Sequence, residues 1–136
     1  HRREYYRRLD AVRVEGDWEG WLDFFLDGVA TIAEEAVATA RDLFVLVAAD
    51  RERLLGRADT ALAAVRLFEL LPTNPILSSS SVMRLLATSR PTANRSIETL
   101  VDAGVLVETT GKRRDRSFAY DAYLRRLREG TEIESA

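Results

Sequence analysis

The stretch LLATSRPTANRSIETLVDAGVLVETTGKRRDRSF, from Leu85 to Phe118, leaves a chain few ways to fold. Start and stop residues follow one another so closely that the length of each element is set locally. A short helix is expected up to about Ala87, with one of the serines from Ser78 to Ser81 as its N-cap, because a serine oxygen can accept from the free N–H groups of a first helical turn. TSRP then makes a tight turn in which Ser89 caps a further helix and Pro91 occupies the first turn, where its missing N–H is not needed. That helix is predicted from about Pro91 to Ala103, closing on Gly104 as a left-handed C′ residue. VLVETT and RSFAY are β-prone runs separated by GKRRD, which has turn chemistry and charge, so they predict a hairpin.

The flanks complete the pattern. Asp59 or Thr60 is placed to cap a helix through TALAAVRLFELL, which must stop at Pro72 and Pro75, leaving TNPIL as a connector. After the hairpin, Tyr120, Tyr123, Leu124 and Leu127 recur at helical spacing, and GTEIESA follows as an acidic tail. Helix, helix, turn, helix, hairpin, helix is the order of a winged helix-turn-helix domain. It is expected over residues 59–129, with residues 130–136 as a disordered tail.

The N-terminal segment, residues 1–58, is helical throughout by pattern. Tyr5, Leu9 and Val12 mark one helix, EGD at Glu15 to Asp17 breaks it, and Asp17 is a plausible N-cap for the next. From Trp18 a stripe of Trp21, Leu22, Phe25, Val29, Ile32, Ala33, Ala36, Ala40, Leu43, Phe44 and Val47 predicts one long amphipathic helix to near Leu55. A kink is expected at Gly28 and a C-cap at Gly56. Phe24, Leu26, Val45 and Leu46 lie off the stripe and imply burial on more than one side. The cluster Trp18, Trp21, Phe24 and Phe25 is expected to be core, and Tyr5 to pack with Tyr6 half exposed. The fold class is therefore mainly α with a small β-hairpin: a helical segment followed by a winged helix-turn-helix domain.

Composition narrows the chemistry. There is no cysteine, so no disulfide or thiolate metal site can form, and a reducing compartment fits best. No long apolar run or signal peptide is present, so no membrane partner is expected. With neither cysteine nor an apolar run the protein is expected to be cytoplasmic, and nineteen of the 20 basic residues are arginine, which points to a GC-rich bacterial genome. His1 is the one histidine, so no histidine-based triad, general base or paired-histidine metal site can be assembled, and no glycine-rich phosphate loop occurs. Glu34 and Glu35 read as a solvated helix face. No catalytic residue, metal or cofactor is expected in this chain.

Charge is unevenly spread. Glu15 to Leu77 carries 12 acidic and 5 basic residues, a balance of −7, whereas Ser78 to Arg128 carries 10 basic and 5 acidic, a balance of +5. Only the second part has the sign suited to nucleic acid. With Ile97, Leu100 and Val101 on the rear of the third helix and Leu85 and Leu86 on the brace, Ser89, Arg90, Thr92, Ala93, Asn94, Arg95 and Ser96 are left at its front. Asparagine can pair with adenine, arginine with guanine, and alanine can touch a thymine methyl. Lys112, Arg113, Arg114 and Arg116 put four cations at the hairpin, where a wing can hold a backbone or enter a minor groove. Ser89, Arg90, Thr92, Ala93, Asn94, Arg95, Lys112, Arg113, Arg114 and Arg116 are thus the candidate contacts for double-stranded DNA. The alternative is a winged helix used for protein interaction or dimerisation, since such domains serve both roles.

HRREYYRRLDAVRVEGDWEGWLDFFLDGVA, from His1 to Ala30, resembles the segment just after the catalytic core in Fic (filamentation induced by cyclic AMP) proteins. EYY, Leu9, Val12 with Arg13, and GDWEGWLDFFLDGV from Gly16 to Val29 carry the match. TSRPTANRSIETLVDAGVL and TGKRRDRSFAYDAYL look like the C-terminal domain that often follows that core. The resemblance implies a parent that transfers AMP from ATP to a protein hydroxyl through an HxFxxGNGR motif, of which nothing is present here. It implies a non-catalytic C-terminal fragment, opening at His1, whose N-terminal helices once closed a larger helical core. Their apolar stripes then predict a homodimer through the long helix.

Overall fold

A computed structural model describes residues 2–112 and 115–129. In chain order the elements are α1 (Arg2–Glu15), α2 (Trp18–Leu55), α3 (Leu62–Leu70), β1 (Ile76–Ser78), α4 (Ser79–Leu86), α5 (Arg90–Asp102), β2 (Val107–Glu108), β3 (Ser117–Ala119) and α6 (Asp121–Glu129). The fold is mainly helical with one small antiparallel sheet, and it forms two compact units, His1–Ala38 and Thr39–Ala136.

In the first unit, α1 ends because Gly16 takes φ +73°, a left-handed value, with its N–H donating to the Val12 carbonyl at 3.1 Å. Asp17 is the expected cap: its Oδ1 accepts from the Gly20 N–H at 3.0 Å. Glu4 pairs with Arg7 and Arg8, and hydrogen bonds from those two guanidiniums, Arg7 first, hold its carboxyl down to about 2. Tyr5 meets Trp21 edge-on at 5.2 Å, and Trp21 lies 6.2 Å from Phe24 and 6.5 Å from Phe25. The cluster is nonetheless not core, which corrects the expectation: Trp18 is 62% and Phe25 52% exposed, and α1 has no buried residue. Two helices alone offer no third surface on which to bury a second apolar face. Gly28 does not interrupt α2, which is helical from Trp18 to Leu55.

The second unit is built on the last turns of α2, where Leu54 is fully buried together with Asp50. Gly56 follows α2 without a left-handed φ, and neither Asp59 nor Thr60 caps α3. The cap position is Ala61, without a side-chain bond, while the Thr60 hydroxyl turns back to the Leu54 carbonyl at 2.7 Å. Ser78 is the serine that caps α4: its Oγ accepts from the Ser81 N–H at 3.3 Å, and Ser81 Oγ accepts from the Ser78 N–H at 2.8 Å. Ala87, at φ +50°, ends that helix in the left-handed region, a conformation seldom adopted outside glycine. Gly104, at φ +72°, ends α5, and the N–H of Val105 returns to the Leu100 carbonyl at 2.9 Å.

The expected connector TNPIL is partly a strand. β1 pairs with β3, Leu77 opposite Phe118, and β2 pairs with the other edge of β3, giving the order β1-β3-β2. The wing is therefore part of a three-stranded sheet and not a free hairpin. Leu67, Phe68, Leu71, Leu77, Val82, Leu86, Ile97, Leu100, Leu106 and Phe118 form the core between sheet and helices. The order α3, β1, α4, α5, β2, β3 and the strand order make this unit winged-helix-like.

One polar network lies in that core. The Tyr120 hydroxyl donates to Asp50 Oδ2 at 2.6 Å, Arg53 donates to the other Asp50 oxygen, and a second Arg53 nitrogen donates to the Ala103 carbonyl at 3.1 Å. Burial first, then the bond to Asp50, push the Tyr120 hydroxyl well above the usual tyrosine range. The pair spans 70 residues and ties α2 to the end of β3.

Candidate nucleic-acid interface

Helix α5 owes its orientation to its rear face. Ala93, Ser96, Ile97 and Leu100 are buried at spacings of three and four, and the hydroxyls of Ser96 and Thr99 are satisfied by the carbonyls of Thr92 and Arg95, each at 2.9 Å. Ala93 is 0% and Ser96 3% exposed, which corrects the expected place of both at the front: no groove can reach either. The spacing of Ala93 carried that signal, four residues before Ile97 and seven before Leu100.

Ser89, Arg90, Thr92 and Arg95 are exposed and Asn94 is half-buried. Ser89 occupies the cap position of α5, but its hydroxyl meets the Thr92 hydroxyl at 3.1 Å instead of a helix N–H. Arg95 lies on the side of Asp59, whose carboxyl is held low by its hydrogen bond to Arg57 and, to a smaller extent, by the Arg95 charge. Arg90 and Asn94 lie on the other edge of the helix. They line an open cleft of about 560 Å³ with Ser78, Ser79 and Ser80 of the α4 N-terminus, Glu98, Asp115, and Arg116 and Phe118 of β3 and its approach.

The wing is only partly free. Lys112 is exposed, and Arg113 and Arg114 lie outside the described residues. Arg116 is committed: it pairs with Glu108 across the β2–β3 ladder and lies 5.1 Å over the Phe118 ring. The hydrogen bond from Arg116 lowers the Glu108 carboxyl below its usual range, and the same bond raises the guanidinium. Glu98 and the serines at the start of α4 were not among the residues picked from sequence. Glu98 shows a helical signal in retrospect, eight residues after Arg90 and four after Asn94.

Among the described residues no group of histidine, cysteine and carboxylate side chains could hold a metal ion, and no helix is long and apolar enough to cross a membrane. No protein-family model and no curated protein matches the sequence. Among solved structures the chain is similar to the crystal structure of RV1404 from Mycobacterium tuberculosis, at 17% identity and a TM-score of 0.41, covering 75% of this chain and 73% of that one.

Proposed function

We propose that the second unit binds double-stranded DNA, with the front of α5 in a major groove and the wing on the backbone. The observation that carries this is the cleft edge of α5. The Arg90 and Asn94 side chains make no hydrogen bond or ion pair with any described residue, yet both lie on one face beside the α4 serines and Arg116. Such donors suit base edges and phosphates together. Ser89, Thr92, Arg95, Lys112, Arg113 and Arg114 extend the contact surface, and Arg116, already paired, contributes least. The test is binding of duplex DNA as a function of salt. Replacing Lys112, Arg113 and Arg114 by alanine is expected to weaken all sequences alike and to flatten the log–log salt dependence by about one unit per lost phosphate contact. Asn94→Ala is expected to blur sequence preference instead. Affinity insensitive to salt in both variants would end this reading.

The chain is proposed as the C-terminal module of a Fic-like parent. Support comes from GDWEGWLDFFLDGV and the motifs around α5 and the wing. On that reading ATP and AMP transfer belong to the parent's core, and the fragment is not an enzyme. AMP transfer from ATP by the purified chain would contradict this.

A second copy of the chain is the other proposed partner. Trp18, Leu22, Phe25, Val29 and Ile32 are all about half exposed or more, at spacings that place them on one side of α2. Together they offer on the order of 600 Å² of apolar surface per copy, the low end of what a specific dimer buries. Association in the micromolar range is expected, lost on Phe25→Glu. Sedimentation as a monomer at hundreds of micromolar would refute it. The alternative, in which the winged helix itself serves protein interaction or dimerisation, would use the second unit and not this face.

A further inference from the structure

We infer that Glu98 is a base-reading residue that selects cytosine. The inference rests on the DNA-binding reading above. Arg90, Asn94 and Glu98 follow one another at four-residue intervals along α5, and all three line the same cleft. Ile97 and Thr99 on either side are buried, so the backbone has no freedom to turn Glu98 elsewhere. Its carboxylate makes no hydrogen bond or ion pair with any described residue. Arg116 senses its charge but is already bonded to Glu108.

An uncommitted carboxylate on a surface that approaches a polyanion is repelled by it. It adds to binding only where it accepts a hydrogen bond that no phosphate can give. In the major groove, base-edge donors are the N4 amino group of cytosine and the N6 amino group of adenine. Adenine sets its N7 acceptor beside that donor, which faces the second carboxylate oxygen with a lone pair. Cytosine presents no neighbouring acceptor on its own edge. Guanine N7 and O6 and thymine O4 are acceptors and repel the carboxylate outright. Glu98 therefore discriminates by attraction to one base and repulsion from the others, and the acidic residue contributes specificity where its cationic neighbours contribute affinity.

The experiment is selection of bound duplexes from a randomised library by the 136-residue chain, followed by affinity measurements on the selected site with each base substituted in turn. The native chain is expected to require cytosine at one position, with about a tenfold loss for any other base there. Glu98→Gln, which offers both a donor and an acceptor, is expected to move the preference at that position to adenine and leave the rest of the site unchanged. It should also bind unrelated DNA more tightly, because one negative charge has gone. A tighter Glu98→Gln variant with an unaltered site preference would overturn the assignment, since Glu98 would then act by repulsion alone. If neither protein retains DNA in a salt-dependent manner, the groove reading falls and this inference falls with it.

Discussion

Replacing Arg53 by methionine is expected to destabilise the second unit by about 3 kcal/mol, the lower end of what removal of one partner from a buried ion pair costs. Asp50 is 3% exposed, so the carboxylate cannot recover water when its cation is removed. The Tyr120 hydroxyl would remain as its donor, and the Ala103 carbonyl would lose the second Arg53 bond at the end of α5. The figure stays at the lower end because the Arg53 side chain is itself half exposed, and its removal costs no buried charge of its own. For a unit of about one hundred residues this corresponds to a fall in Tm of roughly 10–20 °C. Tyr120→Phe should lose less, about 1–2 kcal/mol, because the carboxylate keeps its cation. A double-mutant cycle should show coupling between the two positions. Thermal denaturation of Arg53→Met within 1 kcal/mol of the native chain would show that the network does not hold α2 to the core.

Ala93→Arg is expected to abolish cooperative folding of the same unit. The site is fully enclosed by the rear of α5 and its neighbours, so the guanidinium would enter the core without a partner. An unpaired buried charge costs several kcal/mol even after relaxation, and the added volume costs about 1–3 kcal/mol more. Together these approach the whole stability of a small domain, typically about 5–15 kcal/mol. Two residues on, Arg95→Ala should leave the melting transition in place, because Arg95 is exposed. Circular dichroism on both variants separates the two sides of the helix. A folded Ala93→Arg protein would mean that α5 is rotated from the orientation described.

The contrast between Ala93 and Arg95 also measures how much of the site was legible in the chain. The existence of α5, its N-terminal proline and its closing Gly104 follow from local chemistry, and Gly104 has a second constraint: a Cβ there would lie 3.3 Å from Arg53 Nη1. The front of the helix is harder to read, because alanine suits core and surface equally and declares neither. Glu98 was overlooked for a related reason. Nothing in the sequence sets this carboxylate apart, and its place beside Arg90 and Asn94 follows only from α4, α5 and β3 sharing one cleft.

What the amino-acid order determined alone is a set of features settled within a turn or two: the break at Gly16 with the Asp17 cap, the serine cap of α4, the proline start of α5, and the two hairpin strands of the wing, β2 and β3. These depend on contacts a few residues apart, which local residue types specify. Tertiary structure decided the rest. Ile76–Ser78 became a strand because β3 offers it a partner some forty residues later, Asp50 was drawn inside by Tyr120 seventy residues away, and the apolar side of α2 from Trp18 to Ile32 stayed uncovered within its own unit. Helical periodicity states which residues want to be buried; only the packed neighbours determine whether anything arrives to bury them.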